Sequence, residues 1–75
     1  MANKITAGII GAAGYTGGEL IRILLQHPKI SIKYCYSRSQ HGKPISSVHT
    51  DLEGDTSLYF TNEIDTAIDV VFLCL

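Results

Sequence analysis

The chain has 75 residues, 45% of them hydrophobic, which bounds it to one small domain or part of one and excludes a disordered polymer. Its longest apolar run, Val70 to Leu75, is six residues, far short of a membrane span, and no signal-peptide core precedes a cleavage site. The net charge of −1 is unevenly spread: Leu20 to Thr50 holds only Arg22, Lys29, Lys33, Arg38 and Lys43, and the chain from Asp51 onward only Asp51, Glu53, Asp55, Glu63, Asp65 and Asp69. The basic middle suits a small anion, but it is too sparse and too poor in interleaved aromatics for a nucleic-acid surface. A cytoplasmic protein with neither nucleic-acid nor membrane partners is expected.

Lys4 to Ile10 predicts a short buried strand, with Ile5, Ile9 and Ile10 around the small pair Ala7-Gly8. Gly11, Gly14, Gly17 and Gly18 follow within eight positions, a costly concentration of backbone freedom. From Thr16 or Gly17 to Gln26 the pattern is helical, with apolar Leu20, Ile21, Ile23, Leu24 and Leu25 and a narrow polar stripe of Glu19, Arg22 and Gln26. That stripe predicts a helix covered over most of its surface. His27-Pro28 ends it, because proline cannot continue the hydrogen-bond ladder.

A glycine turn between a strand and a helix is the arrangement that binds phosphate. The helix start carries unsatisfied N–H groups and a partial positive charge. The spacing G-x-x-G-x-x-G is the dinucleotide fingerprint with one residue added between the first two glycines. Gly11 makes the tight exit from the strand, Gly14 leaves room for a pyrophosphate, and Gly17 lets the helix pack closely on the first strand. Tyr15 and Thr16 contribute a backbone N–H and a hydroxyl. Thr16 also reads as a helix N-cap, with Glu19 completing a capping box. A Walker phosphate loop is excluded, since Gly42-Lys43 is followed by Pro44.

Ile30 to Tyr36 is the second strand, in which Ile30, Ile32, Tyr34 and Tyr36 alternate with Ser31, Lys33 and Cys35. Strand, helix and strand within roughly 35 residues make one βαβ unit with parallel strands. Sites that prefer NAD place a carboxylate about 20 residues after the glycines, on the ribose hydroxyls. Here the sequence reads Ser37-Arg38-Ser39. An arginine between serine hydroxyls suits a 2′-phosphate, so NADP is the expected cofactor. Ser37 to Gly54 predicts a long loop, in which Lys43 either extends the phosphate grip or is solvated. Leu58 to Thr61 predicts a short strand, Asn62 to Ile68 one helical turn, and Asp69 to Leu75 a fully buried strand. An apolar strand pattern at the end of the chain is expected of the front part of a longer protein.

Cys35 and Cys74 lie in strand-like surroundings without Cys-x-x-Cys spacing and read as reduced, structural thiols. His27, His41 and His49 match no metal-ligand pattern, and no metal is expected. The fold class is α/β, a Rossmann-like parallel sheet, with residues 1–75 forming the N-terminal part of a dinucleotide-binding domain.

The segments "GAAGYTGGELIRILLQHP", "SRSQHGKPISSVH" and "DVVFLCL" together resemble the N-terminal region of the N-acetyl-gamma-glutamyl-phosphate reductase family. The sharpest parts are Gly14-Tyr15-Thr16-Gly17, Ser37-Arg38-Ser39, and Gly42-Lys43-Pro44 leading to Val48-His49. Aspartate-semialdehyde dehydrogenases share a similar glycine pattern, usually without Tyr-Thr between the last two glycines. The resemblance implies an NADPH-dependent enzyme of arginine biosynthesis. Its Rossmann-like domain carries an inserted α+β domain for dimerisation and catalysis, so a homo-oligomer is implied. The implied reaction has a cysteine thiolate attack an acyl phosphate, giving a thioester that hydride from NADPH reduces to the semialdehyde. That cysteine and its histidine partner lie beyond Leu75 in the family, so no catalytic residue is expected in this chain, and Cys74 is not the nucleophile. Two alternatives stand beside this reading: a semialdehyde dehydrogenase acting on another acyl phosphate, and a non-catalytic dinucleotide-binding regulatory domain.

Overall fold

The computed structural model describes residues 4–52, 54, 56 and 58–74. Glu53, Asp55 and the predicted last strand residue, Leu75, lie outside them. Strand β1 (Ile5–Ile10), helix α1 (Tyr15–Leu25) and strand β2 (Ile30–Tyr36) form the predicted βαβ unit, followed by β3 (Phe60–Thr61) and β4 (Val70–Leu73). The sheet is four-stranded in the order β3-β2-β1-β4, and every strand pairing is parallel. That is the order of the first four strands of a Rossmann-like doubly wound sheet, and it reverses between β1 and β4. Ligands of such sheets bind beyond the carboxyl ends of the strands at this reversal.

Helix α1 buries Gly17, Ile21 and Leu24, one stripe at i, i+4 and i+7. Ile21 is fully buried against Ile9 and Cys35 of the sheet, and burial of such a side chain contributes about 1.5–3 kcal/mol. The helix ends at Gln26, whose N–H donates to the Ile23 carbonyl, while His27 N–H donates to the Leu24 carbonyl just before Pro28. The wet face is wider than predicted. Ile23 is 55% exposed beside Arg22 and Gln26, because the sheet covers only one side of the helix among the described residues. Arg22 donates to Glu19 at 2.7 Å on that face, which raises the arginine pKa through this hydrogen bond.

The connection from β2 to β3 is not the structureless loop predicted over Ser37 to Gly54. It makes two 3-10 turns, Ile45–Ser47 and Thr50–Leu52. These drive Ile45 and Leu52 into the same core as Ile21, Leu24 and Phe60. The connection thus completes the helix-side layer that α1 alone is too narrow to cover. The predicted third strand is shorter, limited to Phe60–Thr61, with Tyr59 forming an isolated antiparallel bridge to Pro44. The predicted turn of helix over Asn62 to Ile68 is absent. Side chains compete for its backbone: the Thr61 hydroxyl accepts from Glu63 N–H, and Asp65 accepts from Ala67 N–H.

Two sheet predictions are corrected. Strand β2 does not alternate cleanly, because the register with β1 jumps from Ala7–Ile32 to Gly8–Tyr34 and leaves Lys33 as a bulge. Ile30, Ile32 and Cys35 therefore all pack on the helix-side core, while Lys33 reaches out to Asp65 at 3.8 Å. Strand β4 is not fully buried. Among the described residues it is the last strand in the sheet order, and Val71 and Leu73 are 42% and 66% exposed on the face away from the helix-side core.

Cys35 is free and has no exposed surface; burial pushes its thiol pKa from 9.0 up to about 12. The folded state therefore holds this proton after the unfolded chain has released it. The resulting stabilisation is fully present below pH 9.0 and is lost as pH rises toward about 12. Urea titrations between these limits are expected to show wild type losing up to about 1.4 kcal/mol per pH unit more than Cys35→Ala. Parallel pH slopes for the two proteins would count against a protonated, desolvated thiol.

Candidate functional site

A cleft of about 290 Å³ opens at the carboxyl ends of β1 and β2. Ile10 and Tyr36, register partners in the sheet, form its floor. Gly11, Ala13 and Gly14 make one wall, and Ser37, Arg38 and Ser39 the other. The predicted phosphate turn and the predicted basic turn thus meet in one space. The Ala12 N–H donates to the Tyr36 carbonyl at 3.1 Å and ties the two walls together.

Gly11 has φ +83°, a left-handed conformation that glycine alone adopts without strain. A Cβ there would also lie 2.9 Å from the Cys74 carbonyl carbon, against the end of β4. Gly14 is exposed, and a methyl added there would have its nearest neighbour at 3.6 Å, so the missing side chain leaves space in the cleft. Gly17 stands behind the cleft rather than in it. A Cβ there would lie 2.6–2.8 Å from backbone atoms of Gly11 and Ala12, at the exit of β1. Backbone cannot step aside as a flexible side chain does, so Gly17→Ala is expected to cost about 1–3 kcal/mol of stability. A shift of the urea midpoint below that range would show that helix and turn separate freely.

The N-cap of α1 is Gly14, and no side chain caps the helix. Thr16 therefore lies inside the first turn, and the predicted capping box with Glu19 does not form. Glu19 is engaged by Arg22 instead. Tyr15 is 85% exposed at the first helical position, and neither its side chain nor that of Thr16 lines the cleft. What this stretch offers is main chain. Gly14 N–H donates to Gly11, and Gly18 N–H donates to Gly14. The N–H groups of Ala13, Tyr15, Thr16 and Gly17 bond to no protein group among the described residues. Such a row of free donors at a helix start suits an anion.

On the opposite wall, Ser37 is 7% exposed and its hydroxyl accepts from Gln40 N–H at 3.2 Å, which shapes the turn. Arg38 and Ser39 are exposed, and no acid pairs with Arg38 among the described residues. Lys43 does not line the cleft; its backbone is pinned to Phe60, whose N–H donates to the Lys43 carbonyl at 2.9 Å. A larger groove of about 530 Å³ lies elsewhere, beside Lys33, Glu63 and Asp65. Its acids would repel phosphate, and no helix start faces it. Among the described residues no cluster of three His, Cys, Asp or Glu could hold a metal, and no helix is long and apolar enough to cross a membrane.

His49 belongs to this neighbourhood, although its spacing suggested nothing. Its Nε2 lies 2.7 Å from the Ala12 carbonyl oxygen. The sequence did hold a signal, Gly18, the fourth glycine that the fingerprint leaves unexplained. A Cβ on Gly18 would strike the His49 ring.

A parallel sheet that reverses its order beside a glycine turn, with that turn and an arginine on facing walls of one cleft, defines a dinucleotide-binding α/β unit. Residues 6–75 match the family described as "Semialdehyde dehydrogenase, NAD binding domain", and the chain belongs to that family. Its ligand class is accordingly a nicotinamide dinucleotide. The chain is 61% identical over 71 residues to the N-acetyl-gamma-glutamyl-phosphate reductase of Christiangramia forsetii, covering 95% of this chain and 22% of the relative. It is 49% identical to the enzyme of that name from Methanosarcina mazei, covering all of this chain and 23% of the relative. It is 46% identical to the [LysW]-L-2-aminoadipate/[LysW]-L-glutamate phosphate reductase of Saccharolobus solfataricus, again covering all of this chain and 22% of the relative. The chain thus spans a little over a fifth of the length of these curated relatives.

Proposed function

We propose that residues 1–75 form the N-terminal part of the NADP-binding domain of a reductase that converts N-acetyl-gamma-glutamyl phosphate to N-acetylglutamate semialdehyde in arginine biosynthesis. One observation carries the cofactor reading: a single cleft sets Gly11, Ala13 and Gly14 of the glycine turn, with the free Ala13 N–H, across from Arg38. The free Ala13 N–H in the cleft, with the free N–H groups of Tyr15 and Thr16 at the adjoining helix start, binds the pyrophosphate, and Gly11 and Gly14 keep the approach open. Arg38 and Ser39 grip the 2′-phosphate on a turn held by Ser37. NADPH, once bound, supplies the hydride. No residue of this chain is assigned to covalent chemistry: Cys35 is sealed in the core with its thiol protonated, and Cys74 packs at the end of β4 with its N–H donated to Ile10. The chain alone is accordingly expected to be inactive.

The relatives' names support the substrate, a small acyl phosphate. The free thiols suit a reducing, cytoplasmic compartment, and the open face of β4 suits a protein with further structure or a second subunit. The Saccharolobus relative favours a second reading, the phosphate of a [LysW]-linked aminoadipate or glutamate. The deciding assay is phosphate-dependent oxidation of N-acetylglutamate semialdehyde by the full-length protein, with NADP and with NAD. Turnover with NADP is the expected result. Turnover with NAD alone removes the Arg38 assignment, and turnover only with a [LysW]-linked aminoadipate or glutamate semialdehyde installs the second reading.

A further inference from the structure

One contact at the glycine turn is not part of the dinucleotide fingerprint. His49 Nε2 approaches the Ala12 carbonyl oxygen to 2.7 Å across 37 positions of sequence. A carbonyl oxygen only accepts, so the ring donates and Nε2 carries the hydrogen. The ring is held from two directions. It stands edge-on to Phe60, with centroids 6.1 Å apart, and lies against Gly18, where a Cβ would come within 2.5 Å of Cε1 and Nδ1.

The Ala12–Ala13 peptide is trans and planar, so its carbonyl and its N–H point in opposite directions. Holding the Ala12 oxygen toward His49 turns the Ala13 N–H away from His49. Ala13 lines the cleft, and its N–H has no protein partner among the described residues. A hydrogen bond at the carbonyl also polarises the peptide and strengthens that N–H as a donor. Resting on the dinucleotide reading above, the structure assigns His49 as a positioning residue that aims the Ala13 N–H at the pyrophosphate, with Gly18 supplying the room for its ring.

The test measures NADPH binding by fluorescence, together with KM and kcat, in the full-length protein carrying this segment. His49→Leu removes the donor, whereas His49→Gln keeps an N–H at a similar reach. His49→Leu is expected to weaken NADPH binding about tenfold and to raise its KM far more than it lowers kcat. His49→Gln restores most of the affinity. Gly18→Ala, which displaces the ring, matches His49→Leu, and the double variant is no weaker than either single one. Unchanged affinity in His49→Leu overturns the assignment. So does a His49→Gln protein as weak as His49→Leu, since packing rather than the donated hydrogen would then matter. If His49→Leu does not fold, His49→Gln decides alone: near-native affinity supports the assignment and a tenfold loss overturns it. A native protein that binds neither NADPH nor NADH removes the dinucleotide reading itself, an outcome distinct from normal binding without dependence on His49.

Discussion

Gly11→Ala is expected to destabilise the protein by about 3 kcal/mol, a large share of the 5–15 kcal/mol typical of a folded domain. Two costs add at this position. The backbone is left-handed, with φ +83°, which costs a residue bearing a Cβ about 1–2 kcal/mol. The new methyl would also press on the Cys74 carbonyl, whose neighbouring N–H donates to Ile10 at 2.8 Å and holds the end of β4 to β1. Relief of that clash loosens a strand that already has one exposed face. Gly14→Ala makes the discriminating control. Its backbone, at φ −77°, accepts any residue, and a methyl there meets nothing closer than 3.6 Å. It should lower the urea midpoint far less than Gly11→Ala, by only the modest cost of alanine at an N-cap, yet weaken dinucleotide binding, because the methyl projects where the ligand approaches. Equal stability losses in the two variants would show that the turn acts only as a fold element.

Arg38→Ala in the full-length protein is expected to weaken NADPH binding by about 10- to 100-fold and NADH binding by less than about twofold. The 2′-phosphate is the only difference between these ligands, and a guanidinium can meet it with paired, charge-assisted hydrogen bonds. Arg38 is exposed and has no acidic partner among the described residues, so its charge is available to a ligand. Exposure also makes the effect sensitive to ionic strength, and the preference for NADPH should narrow as salt rises. Arg38→Lys should recover part of the preference, keeping the charge while losing the planar fork. Equal losses for both cofactors in Arg38→Ala would reject the 2′-phosphate role.

Local chemistry made much of this chain legible from its residues. The break at His27-Pro28, the glycine turn between a strand and a helix, and Arg38 just after β2 each follow from a few neighbouring residues and are found where the pattern places them. Other features went unread because the deciding partner is remote in sequence. The alternation of Ile30 to Tyr36 is simple on paper, yet pairing with β1 excludes Lys33 and brings Ile30, Ile32 and Cys35 onto one core. Thr16 and Glu19 had capping-box spacing, but Gly14 starts the helix and Arg22 takes the glutamate.

Residue order alone was therefore enough to specify the βαβ unit and the two turns that meet in one cleft, because φ preference, helical period and charge act over a few positions. It took the folded chain to show that Ile45 and Leu52 complete the core, that Val71 and Leu73 lie on the face away from it, and that His49 grips Ala12. Those outcomes depend on which distant surfaces meet once the chain has closed on itself, and no local preference encodes that meeting.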